Sequence, residues 1–211
     1  MKTRASLLLP LLTLASCADN NASVRIAALC APPTDPAVCA YGATCDAQWI
    51  GDAKMDVGVT NRYVAVVQVD NLLPNNANAS TFKTNTNDAY VQEYEVEYEG
   101  GLLPTSTGTV LGSAHVPAGG SAVISVLAVN ESVGNVLAAG GIPAGSQVDV
   151  VAKLRLKGVL ADTSAFETGF FNLPIRVCNG CVGTVTCTAP AVKVACPADG
   201  QTPGGGVCAT P

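Results

Sequence analysis

The stretch YVQEYEVEYEG, residues 90–100, decides the fold. Tyr94, Val96 and Tyr98 alternate in it with Glu93, Glu95, Glu97 and Glu99. A strict period of two puts one set on each face of a β-strand; an amphipathic helix would repeat its apolar residues every three or four positions. Further along, QVDVVAKLRLKG (147–158) carries the complementary pattern. Lys153, Arg155 and Lys157 occupy one face there, and Val148, Val150, Ala152, Leu154 and Leu156 the other. Two such strands are expected to lie side by side, because each facing pair of opposite charges contributes roughly 0.2–1 kcal/mol. The simplest reading of the two charge rows is a solvated sheet face balanced for register and solubility; a docking surface is the functional alternative.

Outward from this pair the same alternation recurs in MDVGVT (55–60), RYVAVVQVD (62–70), TVLGSAHV (109–116), SAVISVLAVN (121–130) and ETGFFNLPIRVC (167–178). Gly, Pro and Asn separate these runs, as they do where strands end in turns. NESVGNVLAAGG (130–141) predicts one short helix, with Asn130 as N-cap and Gly140 past its end. The expected fold is therefore all-β: an immunoglobulin-like antiparallel β-sandwich of about seven strands, with disulfide-rich N- and C-terminal segments. In that arrangement the third and sixth strands are antiparallel neighbours, which agrees with the charge pairing above.

The chain opens MKTRASLLLPLLTLASCADN, with Lys2 and Arg4 before an apolar run from Leu7 to Leu14. That is the layout of a secretory signal peptide, and its core is too short to span a bilayer. The ending LASC resembles the lipobox of bacterial lipoproteins. The resemblance covers about the first twenty residues and implies cleavage between Ser16 and Cys17, with a diacylglyceryl thioether on Cys17. Several acyl chains anchor stably where one is marginal. Ala18 follows the cysteine and Asp19 comes one later; by the family's sorting rule this favours the outer over the inner membrane. Removing the first 16 of 211 residues leaves 195, enough for one good core, and loss of Lys2 and Arg4 takes the net charge from −5 to −7. An acidic surface argues against nucleic acid as a partner. The expected contacts are the membrane, through the lipid, and an envelope protein or glycan.

The middle of the chain is also similar to the water-stress and hypersensitive-response domain of late-embryogenesis-abundant proteins. VQVDNLLPNN, HVPAGGSAVISV and VAKLRLKGVL stand in the order of that domain's strands and turns. The likeness implies a sandwich and, as a functional alternative, envelope protection on drying. The expanded turn after Asp70 and the flanking cysteines depart from it.

There are nine cysteines. With Cys17 lipidated, the remaining eight are Cys30, Cys39 and Cys45 before the sandwich, and Cys178, Cys181, Cys187, Cys196 and Cys208 at its end. An even number in an oxidising compartment is the parity of four disulfides. Three and five are both odd, so complete pairing needs at least one bridge between the two ends. Four thiolates of the 178–196 cluster could instead hold zinc, but a second CxxC is missing. The Cys178–Cys181 pair leaves a strand for a turn, whereas a redox pair favours a helix N-terminus. The chain divides into a lipoprotein signal peptide (1–16), a lipidated tether (17–29), a Cys/Pro-rich segment (30–53), the sandwich (54–178) and a Cys-rich C-terminal cap (179–211).

No catalytic constellation emerges, and the expectation is a protein without enzymatic activity. His115 is the only histidine, so a histidine-rich metal site is excluded within one chain. No nucleophile elbow, P-loop or dinucleotide fingerprint accompanies it. The acidic row from Glu93 to Glu99 suggests paired carboxylates, but an exposed strand face lacks the cleft that would separate their pKa values. No metal and no cofactor are expected, apart from the covalent lipid on Cys17. The longest irregular segment, 71–89, with Phe82 as its one aromatic, is expected to be mobile or lightly packed; as the alternative it is a binding loop, with Asn71, Asn75, Asn76, Asn78, Phe82, Asn85, Asn87 and Asp88 as its contact residues. Asp70, Asn71, Asn87 and Asp88 could offer oxygens to calcium, although without EF-hand spacing. A ligand-binding lipoprotein using this loop is the second functional reading.

Overall fold

The computed structural model describes residues 23–30, 45, 53–58, 60–99, 103, 108–180, 192–194 and 207–209. The signal sequence, Ser16, Cys17, Cys39, Cys181, Cys187 and Cys196 lie outside the described residues, as does most of the C-terminal cap.

The elements in chain order are β1 (Val24–Leu29), β2 (Ala53–Asp56), β3 (Tyr63–Asn71), β4 (Ala89–Glu99), β5 (Gly108–Val116), β6 (Ser121–Val129), α1 (Glu131–Ala139), β7 (Gln147–Leu160), β8 (Ala165–Glu167) and β9 (Phe171–Cys178), followed by two short strands at Val192–Val194 and Val207–Ala209. They form an all-β sandwich. One sheet has the order β1-β3-β6 and the other β2-β9-β7-β4-β5, with β8 paired to β7. The core between them is built from alternate residues: Ala65, Val67 and Val69 of β3 face Tyr94, Val96 and Tyr98 of β4 and Val150, Ala152, Leu154 and Leu156 of β7. Burial in this core pushes the Tyr98 phenol up to about 12, against a hydrogen bond from the Asn130 backbone that lowers it.

β4 and β7 pair antiparallel, with Glu93 opposite Lys157, Glu95 opposite Arg155 and Glu97 opposite Lys153. The expected adjacency of the two charged strands is present. A register shift between Val91 and Glu93 explains why the buried residues of β4 change phase, from Ala89 and Val91 to Tyr94, Val96 and Tyr98. Gly158 of β7 sits at this irregularity: a Cβ there would lie 2.1 Å from the Tyr90 carbonyl oxygen. β5 pairs with β4 and so joins the larger sheet.

Three expectations need correction. The sandwich is not wholly antiparallel, because β2 joins β9 in parallel, Ala53 beside Ile175 and Asp56 beside Cys178. Alternation specifies faces and carries no information on direction. The MDVGVT strand stops at Asp56, whose buried carboxylate accepts hydrogen bonds from the Gly58 and Gly180 N–H groups, both at 2.9 Å; after a last bond from the Val57 N–H to the Cys178 carbonyl the chain turns away. Finally, the segment expected as tether ends in a strand. Val24 is buried, and β1 pairs with β3 from Val24–Asn71 to Leu29–Val67. β1 covers β3, which would otherwise be an open edge.

The predicted helix is α1. The Asn130 side chain accepts from the Val133 N–H at 2.9 Å, and Gly140 follows its last residue. Gly134 lets the helix pack tightly, since a Cβ would stand 1.8 Å from the Asn61 carbonyl oxygen.

Candidate functional site

The start of β1, the end of β3, the start of β4, the end of β5, the start of β6 and the end of β7 share one pole of the sandwich. The segment between β3 and β4 leaves from this pole, and the Leu72 N–H donates to the Ser23 carbonyl at 2.6 Å. The candidate loop therefore stands beside the start of β1. α1 and Cys178 lie at the opposite pole, where β6 and β9 end and β7 begins. The start of β1 and the end of the last strand are thus at different ends of the sandwich, whereas Cys30 follows the far end of β1.

Asparagine side chains build the loop. Buried Asn71 donates to the carbonyls of Asn87 (2.8 Å) and Val116 (3.2 Å) and accepts from the Leu73 N–H (3.1 Å). Asn76 accepts from the Thr86 N–H at 2.9 Å and donates to its hydroxyl at 2.7 Å. Asn87 donates to the Pro74 carbonyl at 2.7 Å. At the tip, Asn78 and Lys83 exchange two backbone hydrogen bonds of 2.9 Å, closing a turn around residues 79–82. A short carboxamide satisfies loop backbone where no strand partner exists. These bonds tie the two arms of the loop together, while residues 77–84 are all exposed.

The candidate contact residues consequently fall into two groups. Asn71, Asn76, Asn85, Asn87 and Asp88 use their side chains within the fold. Asn75 and Asn78 accept from the backbone N–H groups two residues on. Phe82 is presented outward, 94% exposed, on left-handed backbone with φ 53°. Such a backbone is unusual for a bulky residue. Leu72, 53% exposed, adds a second apolar side chain at the same pole.

Asp88 anchors the base of the loop. Its carboxylate accepts from the Ala118 N–H at 2.8 Å and from Asn85 at 2.6 Å, with His115 Nε2 3.3 Å away. The Ala118 N–H, chiefly, and His115 hold its carboxyl below the usual range. His115 stacks on Tyr90 with ring centroids 5.1 Å apart. Together with Leu111, Ser113 and Val159 these rings line a depression of about 770 Å³ on the outer face of the larger sheet. Sequence reasoning missed this feature, although Leu111 stood in the outward phase of its strand among Thr109, Ser113 and His115.

Two glutamates of the acidic row, Glu95 and Glu99, are engaged by their neighbours. Glu95 receives Arg155 at 2.6 Å and Lys157 at 3.2 Å, and Lys153 pairs with Glu99. Arg155, foremost, and Lys157 draw the Glu95 carboxyl below its ordinary value. Arg155 also reaches Glu167 at 3.2 Å and lies 4.6 Å from the centre of the Phe170 ring. The oxygens considered for calcium are likewise committed: Asp70 accepts from Gln68 and Ser121, and Asn71 and Asp88 as described. Among the described residues no three His, Cys, Asp or Glu side chains gather as a metal site. Cys30 is bridged to Cys45, and Cys178 is also in a disulfide.

No protein-family model matches the chain, and no curated protein matches it significantly.

Proposed function

We propose that this protein is a bacterial envelope lipoprotein whose disulfide-stapled sandwich works as a non-enzymatic structural or interaction module at the membrane surface. One observation carries the reading. β1 begins at Val24, only seven residues after the lipobox cysteine, so the Cα atoms of Cys17 and Val24 are at most about 25 Å apart. The sandwich is then held against the membrane, not displayed on a long leash. Anchoring is by lipid on Cys17, the outer membrane is the favoured address, and the partner is an envelope protein or glycan. The depression around Tyr90, Leu111 and His115 is the face best suited to that partner, since aromatic anchors with a polar rim dominate such contacts. The non-enzymatic reading rests on the sequence, which carries no catalytic motif.

Replacing Cys17 by Ser in the native host tests the reading. The expected result is loss of lipid labelling and release of a folded chain from the membrane fraction. Retention in the membrane with unchanged flotation would contradict it.

A further inference from the structure

We infer that the finger formed by residues 72–87 is a second membrane contact, resting Phe82 and Lys83 in the lipid interface beneath the domain; this rests on the lipid anchor proposed above. Three observations converge. First, the Leu72 N–H to Ser23 carbonyl bond places the base of the finger beside the chain that leads back to Cys17. Second, residues 77–84 are all exposed, so the finger stands clear of the sandwich. Its two arms are joined between Asn76 and Thr86 and between Asn78 and Lys83, which gives it a reach of roughly 15–20 Å. That matches the stretch of about 25 Å open to the chain between Cys17 and Val24. Third, the tip carries the chain's most exposed large apolar side chain among the described residues, Phe82, followed at once by exposed Lys83. An aromatic ring beside a cation suits the boundary between acyl chains and anionic headgroups.

The rigidity of the finger matters for this role. The backbone bonds between Asn78 and Lys83 and from Phe82 N–H to Ala79 close the turn that carries Phe82 before any contact is made, so less ordering entropy is lost on insertion. With the finger and the lipid both touching the bilayer, the domain is held in one orientation. α1 and the Cys178 end then point away from the membrane, and the outer face with Tyr90 and His115 stands sideways.

The test uses the full lipidated chain in vesicles of phosphatidylethanolamine and phosphatidylglycerol, with Trp49→Phe removing the native indole and Phe82→Trp reporting on the tip. Val136→Trp, on exposed helix at the far pole, is the control. The expected result is a blue-shifted emission quenched by acyl-brominated lipid for Phe82→Trp, with no quenching for Val136→Trp. Trypsin cleavage after Lys83 in the unsubstituted chain should also be slower on vesicles than for the Cys17→Ser form. If the chain is acylated and floats with vesicles while the Phe82→Trp indole stays water-exposed, the finger contact is overturned and the anchor stands. If the chain carries no acyl group on Cys17 and fails to float, both are overturned.

Discussion

The hydroxyl oxygen of Tyr94 in β4 accepts a hydrogen bond from the Leu127 N–H of β6, 3.0 Å away. It crosses between the sheets. β6 is an edge strand of the smaller sheet, and an edge N–H needs a partner from outside its own ladder. Tyr94 is itself buried, so it satisfies this donor inside the sandwich and ties the two layers at a fixed spacing. Tyr94→Phe should therefore destabilise by about 1–3 kcal/mol, the cost of leaving a partly buried donor unpaired. Urea unfolding checks it; an unchanged midpoint with an unchanged slope would mean that water replaces the hydroxyl.

Gly134→Ala should be more damaging than helix propensity allows. Alanine is the better helix former, but its Cβ would overlap the Asn61 carbonyl. Overpacking of this kind typically costs about 1–3 kcal/mol. A fall in the thermal midpoint is expected, whereas Gly141→Ala, with open space around its Cβ but positive φ, should cost less.

The loop should depend on Asn71 out of proportion to its size. Asn71→Ala removes bonds to Asn87, Val116 and Leu73 and leaves buried carbonyls unpaired, a loss of about 2–3 kcal/mol. Hydrogen exchange of the 72–87 amides should accelerate more than that of β7. Equal acceleration in both would mean that the loop and sandwich unfold as one unit.

Acid should weaken the fold through Glu95 and Asp88. Both carboxyls are held below their ordinary values of 4.5 and 3.8 in the native state. A depressed carboxyl contributes stability that is present at neutral pH and is lost as pH falls through the folded pKa. Stability should decline once pH drops below about 4.5, and Glu95→Gln should be less stable at neutral pH yet flatter in that acid range. The Tyr98 phenol acts in the opposite direction. Its pKa rises from 10.0 to about 12, so its contribution is complete below pH 10 and lost as pH climbs toward 12. Denaturant midpoints across both ranges, with Tyr98→Phe as the alkaline control, read these slopes.

How much of this could be read from residues alone follows physical lines. Facing charges at Glu95 and Arg155 identified neighbouring strands because charge complementarity acts across a single inter-strand gap. Val91 and Tyr94 fall on opposite phases of the alternation, and the bulge between them reconciles the two. β1 is harder to read: VRIAAL is short and has no Gly or Pro before it to mark its start. The parallel pairing of β2 with β9 leaves no trace in alternation. The loop's Asn-rich composition marked it as irregular, but a bond such as Asn71 to Val116 spans 45 positions, and only the fold brings such groups together. Phe82 was singled out as the loop's one aromatic, yet its exposure depends on backbone geometry that no pattern encodes.

The most direct measurement is the intact mass of the protein purified from its native membranes, before and after reduction and alkylation. A mature chain beginning at Cys17 with added acyl mass, and eight further cysteines that alkylate only after reduction, is the expected result. A chain still carrying residues 1–16, or one cleaved there with an unmodified Cys17, would contradict the account.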